Sequence, residues 1–182
     1  MGDFKLYTLD SAPAKAKPLL EKSIEAFGMI PNLHGVMAES PELLQAYQDL
    51  HNLALNSSFD KNELSVVWQT INVEHACHYC VPAHTAIANM MEVDEGITEA
   101  LRNETPLESE KLEVLRGTTL LILRQRGVID KADIDTFYQA GYNRQNLLDI
   151  ILVLSQKVMS NYVNHLADTP VDEAFKAFTW TK

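Results

Sequence analysis

The chain reads as an all-α bundle of about eight to ten helices, and three observations carry that expectation. Apolar residues recur at helical spacing through most of its 182 residues. Helix-start and helix-stop residues punctuate the sequence regularly. No hairpin dipeptide separates alternating runs, and no stretch keeps the period of two that marks a half-buried strand.

Taken in order, a first helix runs from about Ala14 to Phe27 and is stopped by Gly28. Ser40 is a cap followed by Pro41 at the first helical position, opening a helix through Leu43, Leu44 and Tyr47. Asp60, with Glu63 three residues later, has the pattern of a capping box for a helix reaching about His75. Pro82 dates the next start: proline is tolerated in a first turn, where its missing N–H has no partner anyway, and is costly further in. A helix therefore begins near Cys80 and continues through Ala88. Thr105-Pro106-Leu107-Glu108 opens another, ended by Gly127. Asp130 caps a short helix closed by Gly141. Asn143 opens an apolar helix from Arg144 to about Leu166, and Thr169-Pro170 starts a last short one. Leu147, Leu148 and the run Ile150 to Leu154 cannot all face one core, so that helix is central in a bundle or packs against another subunit.

Composition limits the function. A chain of this length is expected to form one domain, residues 1–182, burying roughly 70% of its unfolded surface. Lys and Arg total 15 against 25 for Asp and Glu, a net charge of -10. With no basic run, neither nucleic acid nor an anionic membrane is an expected partner. The longest apolar stretch, Leu147 to Leu154, is interrupted by Asp149 and too short to span a bilayer. Residues Met1 to Leu6 lack the basic and apolar regions of a signal peptide. A cytoplasmic location is expected, and there a lone cysteine pair is catalytic or metal-binding rather than a structural staple.

Both cysteines lie in the run Glu74-His75-Ala76-Cys77-His78-Tyr79-Cys80-Val81-Pro82-Ala83-His84. Cys80 falls at a helix start, where free N–H groups and the macrodipole favour the thiolate. His84, about one turn on, is placed to exchange a proton with that sulfur. Three readings are open: two small thiols filling a core, a metal site from Cys77, Cys80 and His84 with His75 or His78, or a dithiol cycling through a disulfide. Structural zinc draws on two separated knuckles, and no second pair exists. Haem attachment fails because Val81 stands where Cys-x-x-Cys-His needs histidine. The dithiol reading fits best. Trp68 and Trp180 read as packing residues, and His165 beside Asn164 as a satisfied polar group at a helix end.

The segment Cys77 to His84 resembles the signature of the carboxymuconolactone decarboxylase superfamily, in its alkylhydroperoxidase D-like branch. Met29-Ile30-Pro31-Asn32-Leu33, Ser40-Pro41-Glu42-Leu43-Leu44 and Asn161-Tyr162-Val163-Asn164-His165-Leu166-Ala167-Asp168-Thr169-Pro170 resemble the flanking segments of its peroxidase-related members. The resemblance implies a helical, homo-oligomeric protein, a trimer or hexamer. It implies reduction of hydrogen peroxide or organic hydroperoxides in an antioxidant role, with no cofactor. Cys80 resembles the peroxidatic cysteine, Cys77 its resolving partner, and His84 the histidine accepting the Cys80 proton. Electrons would come from a dithiol donor, thioredoxin-like or lipoyl. One position departs from the pattern: Ser65 stands where the family's relay glutamate is expected. Glu63 is turned to another face of its helix, which leaves Glu74 as the candidate acid for the relay. His78 and Tyr79 are candidate pocket residues. A reading of another class is a non-enzymatic redox-sensing or metal-binding homo-oligomer that uses the same Cys/His cluster.

Overall fold

A computed structural model describes residues 3–182. Among these residues there are nine α-helices, one 3-10 helix and no strand: α1 (Lys17–Phe27), α2 (Asn32–Met37), α3 (Pro41–Leu55), α4 (Lys61–Glu74), α5 (Cys80–Met90), α6 (Glu95–Arg102), α7 (Glu110–Gln125), α8 (Lys131–Gln139), α9 (Arg144–Ala167), then the 3-10 helix Glu173–Phe178. The all-α expectation holds.

Most starts lie where the capping residues put them. Asp60 accepts from the N–H groups of Asn62 and Glu63 while the Glu63 carboxylate reaches back to the Asp60 N–H, closing the capping box. Asn143 and Asn146 do the same at α9. Cys80 is the first residue of α5. Gly28, with φ of 71°, closes α1 in the left-handed conformation that costs glycine least.

Three features differ from expectation. Helix α7 begins at Glu110 behind Ser109, not at Thr105. Thr105 to Glu108 instead form an extended entry whose backbone is tied down by α7 side chains: Leu107 N–H donates to Glu113, and Arg116 donates to the Thr105 carbonyl. Helices α2 and α6 have no counterpart among the expected elements. Helix α2 has only six residues and no side-chain cap of its own. The C-terminal helix begins at Glu173 rather than at Thr169.

The centre of the bundle is α4, not α9. Every residue of α4 from Glu63 to Val73 is buried. One core gathers around it, with Trp68, Ile71, Leu101, Leu115, Phe137, Ile150 and Val153. A second gathers Leu20, Leu33, Met37, Leu44 and Tyr47 around the cysteine turn. Helix α9 packs one face against α3 and α4 and leaves Leu148, Ile151, Tyr162 and Leu166 exposed. No helix among the described residues is long and apolar enough to cross a membrane.

Candidate active site

The chain leaves α4 through Ala76, a non-glycine residue at φ of 50°. A backbone bond from Cys77 N–H to the Asn72 carbonyl, 3.0 Å, closes the helix end. This left-handed step costs about 1–2 kcal/mol and turns the following residues inward, so that Cys77 and Cys80 are both buried free thiols. The turn is held by Tyr79, whose hydroxyl accepts from the Leu33 N–H and donates to Asp172 at 2.5 Å. Asp172 also accepts from the N–H of Asn32, supplying from the C-terminal segment the anion that the start of α2 lacks.

Around the cysteines lies a connected set of polar side chains from α4, α5 and α9. Gln69 donates to the Val81 carbonyl and to Thr85. Asn72 donates to Gln69 and to the Cys80 carbonyl. Asn161 donates to Asn72 and accepts from His75 Nδ1, since an amide oxygen only accepts. Asn164 turns its amide nitrogen toward both sulfurs, 3.2 Å from Cys80 Sγ and 3.9 Å from Cys77 Sγ.

The charge in this site comes from Lys157 of α9, which is fully buried. Its Nζ lies 2.8 Å from His84 Nε2. Burial lowers its pKa, and the two cysteine sulfurs beside it work in the opposite direction. The sulfurs are driven apart. Burial alone pushes the Cys80 thiol up, but hydrogen bonding from Cys77, the Lys157 ammonium, Ser160 and Asn161 outweigh it and lower its pKa. Cys77 moves up, because its own hydrogen bond to Cys80, its burial and the facing sulfur all favour the thiol. The resulting pair is a Cys80 thiolate hydrogen-bonded by a Cys77 thiol and neutralised by an ammonium.

The sequence-predicted residues divide accordingly. Cys77, Cys80 and His84 come together. His84 is held well below its ordinary pKa by burial, then by Lys157 and His51, so it is neutral. Its Nε2 faces Lys157 rather than sulfur. The cation beside Cys80 is therefore a lysine and not an imidazolium. Glu74 does not join the site. It forms a two-pronged pair with Arg124 on α7, at 2.6 and 2.7 Å, on the partly exposed side of α4. The guanidinium holds its carboxyl below the usual range, leaving no proton to relay. Glu63 serves the capping box and Lys111, and Ser65 is buried on α4. Among the flanking histidines, His75 is committed to Asn161 and His78 donates to the Thr169 carbonyl, so neither turns toward the sulfurs as a metal ligand would. Glu74→Gln is expected to leave any turnover within about twofold and to cost at most about 1 kcal/mol of stability, as partly exposed ion pairs do; steady-state rates beside a thermal melt check both.

Sequence reasoning missed Lys157, Ser160, Asn161 and Asn164. The signal was present: these polar residues recur at spacings of three and four along one side of α9, after the apolar run that ends at Leu154, and all are buried.

Cys80, His84 and Lys157 line a cavity of about 390 Å³ between α1, α2, α3, α5, α9 and the 3-10 helix. The apolar wall is built from Phe27, Met29, Leu33, Ile87, Met90 and Phe175. A thiolate beside a cation in the lining of a largely apolar cavity can act as a nucleophile on a small molecule that enters it.

No family model matches the chain, and no curated protein matches it by sequence. Solved structures do match. The alkylhydroperoxidase AhpD core of an uncharacterized peroxidase-related protein from Ralstonia eutropha JMP134 superposes with a TM-score of 0.82 at 16% identity, over 96% of both chains. An uncharacterized peroxidase-related protein from Silicibacter sp. TM1040 gives 0.78 at 22% identity, over 96% of this chain and 95% of that one. The debrominase Bmp8, in complex with 2,3,4-tribromopyrrole, gives 0.72 at 18% identity, over 97% and 95%. The fold is that of the alkylhydroperoxidase D-like proteins. The resemblance first carried by Cys77 to His84 thus extends over 96% of the chain at the level of architecture.

Proposed function

We propose that the protein is a thiol-dependent peroxidase that reduces hydroperoxides through a Cys80–Cys77 dithiol/disulfide cycle. The observation that carries this reading is Cys80 in the cavity lining, lowered in pKa and placed beside Lys157 and Asn164. The Cys80 thiolate attacks the distal oxygen of R–O–O–H. The O–O bond breaks, sulfur is oxidised to the sulfenic acid, and the departing alkoxide takes a proton from the Lys157 ammonium. The Cys77 thiol then attacks the Cys80 sulfur. Its proton leaves with the hydroxyl as water, and the disulfide closes. An external dithiol, of thioredoxin-like or lipoyl type, reduces that disulfide. The Cys80 proton returns to Lys157, restoring thiolate and ammonium. His84, whose Nε2 lies 2.8 Å from Lys157 Nζ, accepts from the ammonium and orients it.

The test is consumption of hydrogen peroxide and cumene hydroperoxide by the wild-type protein with dithiothreitol as donor. Turnover with a Cys77–Cys80 disulfide trapped on quenching supports the proposal. The absence of turnover on both peroxides sinks it.

A second reading draws on the apolar wall and on the tribromopyrrole bound by Bmp8. The same thiolate takes bromine from an aryl bromide while the ring carbon gains a proton. Cys77 then displaces bromide as the disulfide closes. Bromide release from 2,3,4-tribromopyrrole, without peroxide turnover, would favour it.

Assembly belongs to the same proposal. The exposed apolar stripe of α9, Leu148, Ile151, Tyr162 and Leu166, fits a second copy of this chain. Light scattering is expected to give a trimer or hexamer, and a monomer mass at micromolar concentration would rule that out.

A further inference from the structure

The cavity holds one side chain that the chemistry above leaves unused. His51 of α3 lines it, and the ring is fixed on two sides. It stacks on Trp68, 5.7 Å between centroids at 9°, and Phe27 meets it edge-on at 6.3 Å. Its Nδ1 lies 3.0 Å from Gln156 Nε2. Which of the two donates is decided one residue further back. The Trp68 indole N–H, a donor only, lies 2.8 Å from Gln156 Oε1. That bond takes the amide oxygen and turns the amide N–H₂ toward His51, so Nδ1 must accept. Burial, then Lys157, lowers the His51 pKa to about 4, so the ring is neutral near pH 7. A neutral imidazole that accepts at Nδ1 carries its proton at Nε2. Among the described residues nothing accepts that proton, and Nε2 is not one of the enclosed unpaired atoms, as His84 Nδ1 is. It is open to the cavity.

The charge balance of the cavity says what this donor meets. Its one deeply buried cation, Lys157, is balanced by the Cys80 thiolate. The other charged lining residues, Lys22 and Asp49, are both exposed and carry one charge of each sign. The wall is apolar on several sides. No net charge is left over to hold an ionic ligand, and burying one unpaired is costly.

We infer that the cavity binds an uncharged organic molecule and that His51 Nε2–H anchors it through a hydrogen-bond-accepting atom, with the tautomer set by the relay Trp68–Gln156–His51. The inference deepens the peroxidase reading: the anchored atom is the hydroperoxide oxygen that departs as alcohol, and hydrogen peroxide, with no apolar group for the wall, is the poorer substrate. His51 is a substrate-anchoring residue, distinct from the nucleophile and from its cation.

The test uses 2-phenyl-2-propanol, the alcohol left by cumene hydroperoxide, because its binding needs no thiol chemistry. Titration of the full-length protein, and of Cys80→Ser, is followed by indole and imidazole resonances. Saturable binding is expected in both. His51→Phe, which keeps the ring and loses the donor, should weaken binding roughly fivefold, the worth of one neutral hydrogen bond. His51→Gln, with a nitrogen donor near the place of Nε2, should recover most of it. Trp68→Phe frees the Gln156 amide and should weaken binding without touching the ligand, with no further loss in the double variant with His51→Phe. Nitrogen-15 spectra of the wild type should show His51 with an unprotonated Nδ1. Four results overturn the inference: a protonated Nδ1, unchanged affinity in His51→Phe, benzoate binding as tightly as the alcohol, or no alcohol binding. Alcohol binding that persists while peroxide turnover is absent defeats the peroxidase reading and leaves the His51 anchor standing.

Discussion

Cys80→Ser is expected to bring peroxide consumption down to the rate of dithiothreitol alone, while Cys77→Ser, reduced and then mixed with peroxide in the absence of any thiol donor, retains a single turnover that stops at a sulfenic acid. The asymmetry follows from the two environments. Cys80 Sγ lies at the cavity, accepts from Asn164 and is held as thiolate by Cys77 and Lys157. Cys77 does not line the cavity, and its environment favours the neutral thiol. Alkylation by iodoacetamide across pH separates them. Its rate follows the thiolate fraction, so Cys80 in the Cys77→Ser variant should still react on the acid side of the free thiol value of about 8.5. Cys77 in the Cys80→Ser variant should need a more alkaline solution. Loss of the Cys77 hydrogen bond moves the Cys80 midpoint upward from its wild-type position, but Lys157 remains to hold it down. A reversed order of the two midpoints would exchange the roles.

Lys157→Met carries the next largest effect, and its sign separates chemistry from stability. Without the ammonium, one of the effects that offset burial is lost and the Cys80 pKa rises. Each unit of rise removes about tenfold of the thiolate at neutral pH, so alkylation and peroxide consumption near pH 7 should fall at least tenfold. The deficit should narrow as pH is raised through the new midpoint. Stability should not fall with activity. A buried ammonium is costly to desolvate, and a hydrophobic side chain of similar volume is often neutral or stabilising in its place. The thermal midpoint is therefore expected to hold or rise. A variant that unfolds easily, or whose pH profile matches the wild type, would show Lys157 to be a packing element instead.

The two predictions rest on residues of different legibility. Cys80 was readable because its signal is local: a cysteine pair, a proline in the first turn and a histidine one turn on all lie within eleven residues. The capping residues at Asp60 and Asn143 act on N–H groups two and three positions away, so they too are legible, and with them most of the helices. Helix α2 was not, since the carboxylate that satisfies its first N–H comes from Asp172, 140 residues distant. Glu74 was misread for a related reason. Position alone put it three residues before Cys77, but Ala76 reverses the chain between them, and Arg124 on α7 claims its carboxylate.

By itself the sequence determined what short-range physics governs: an all-α chain, the start of α5 at Cys80, and a second thiol three residues before that start. Only the tertiary structure decided what cation stands beside the acidic thiol, which neighbours lower its pKa and which histidine tautomer faces the cavity. Those properties depend on burial and on partners from α4, α5 and α9 that approach across as many as 89 positions, as Asn161 does Asn72. The ordinary pKa values of cysteine, lysine and histidine say little about groups that share one desolvated site, where a neighbour's charge or hydrogen bond outweighs intrinsic acidity.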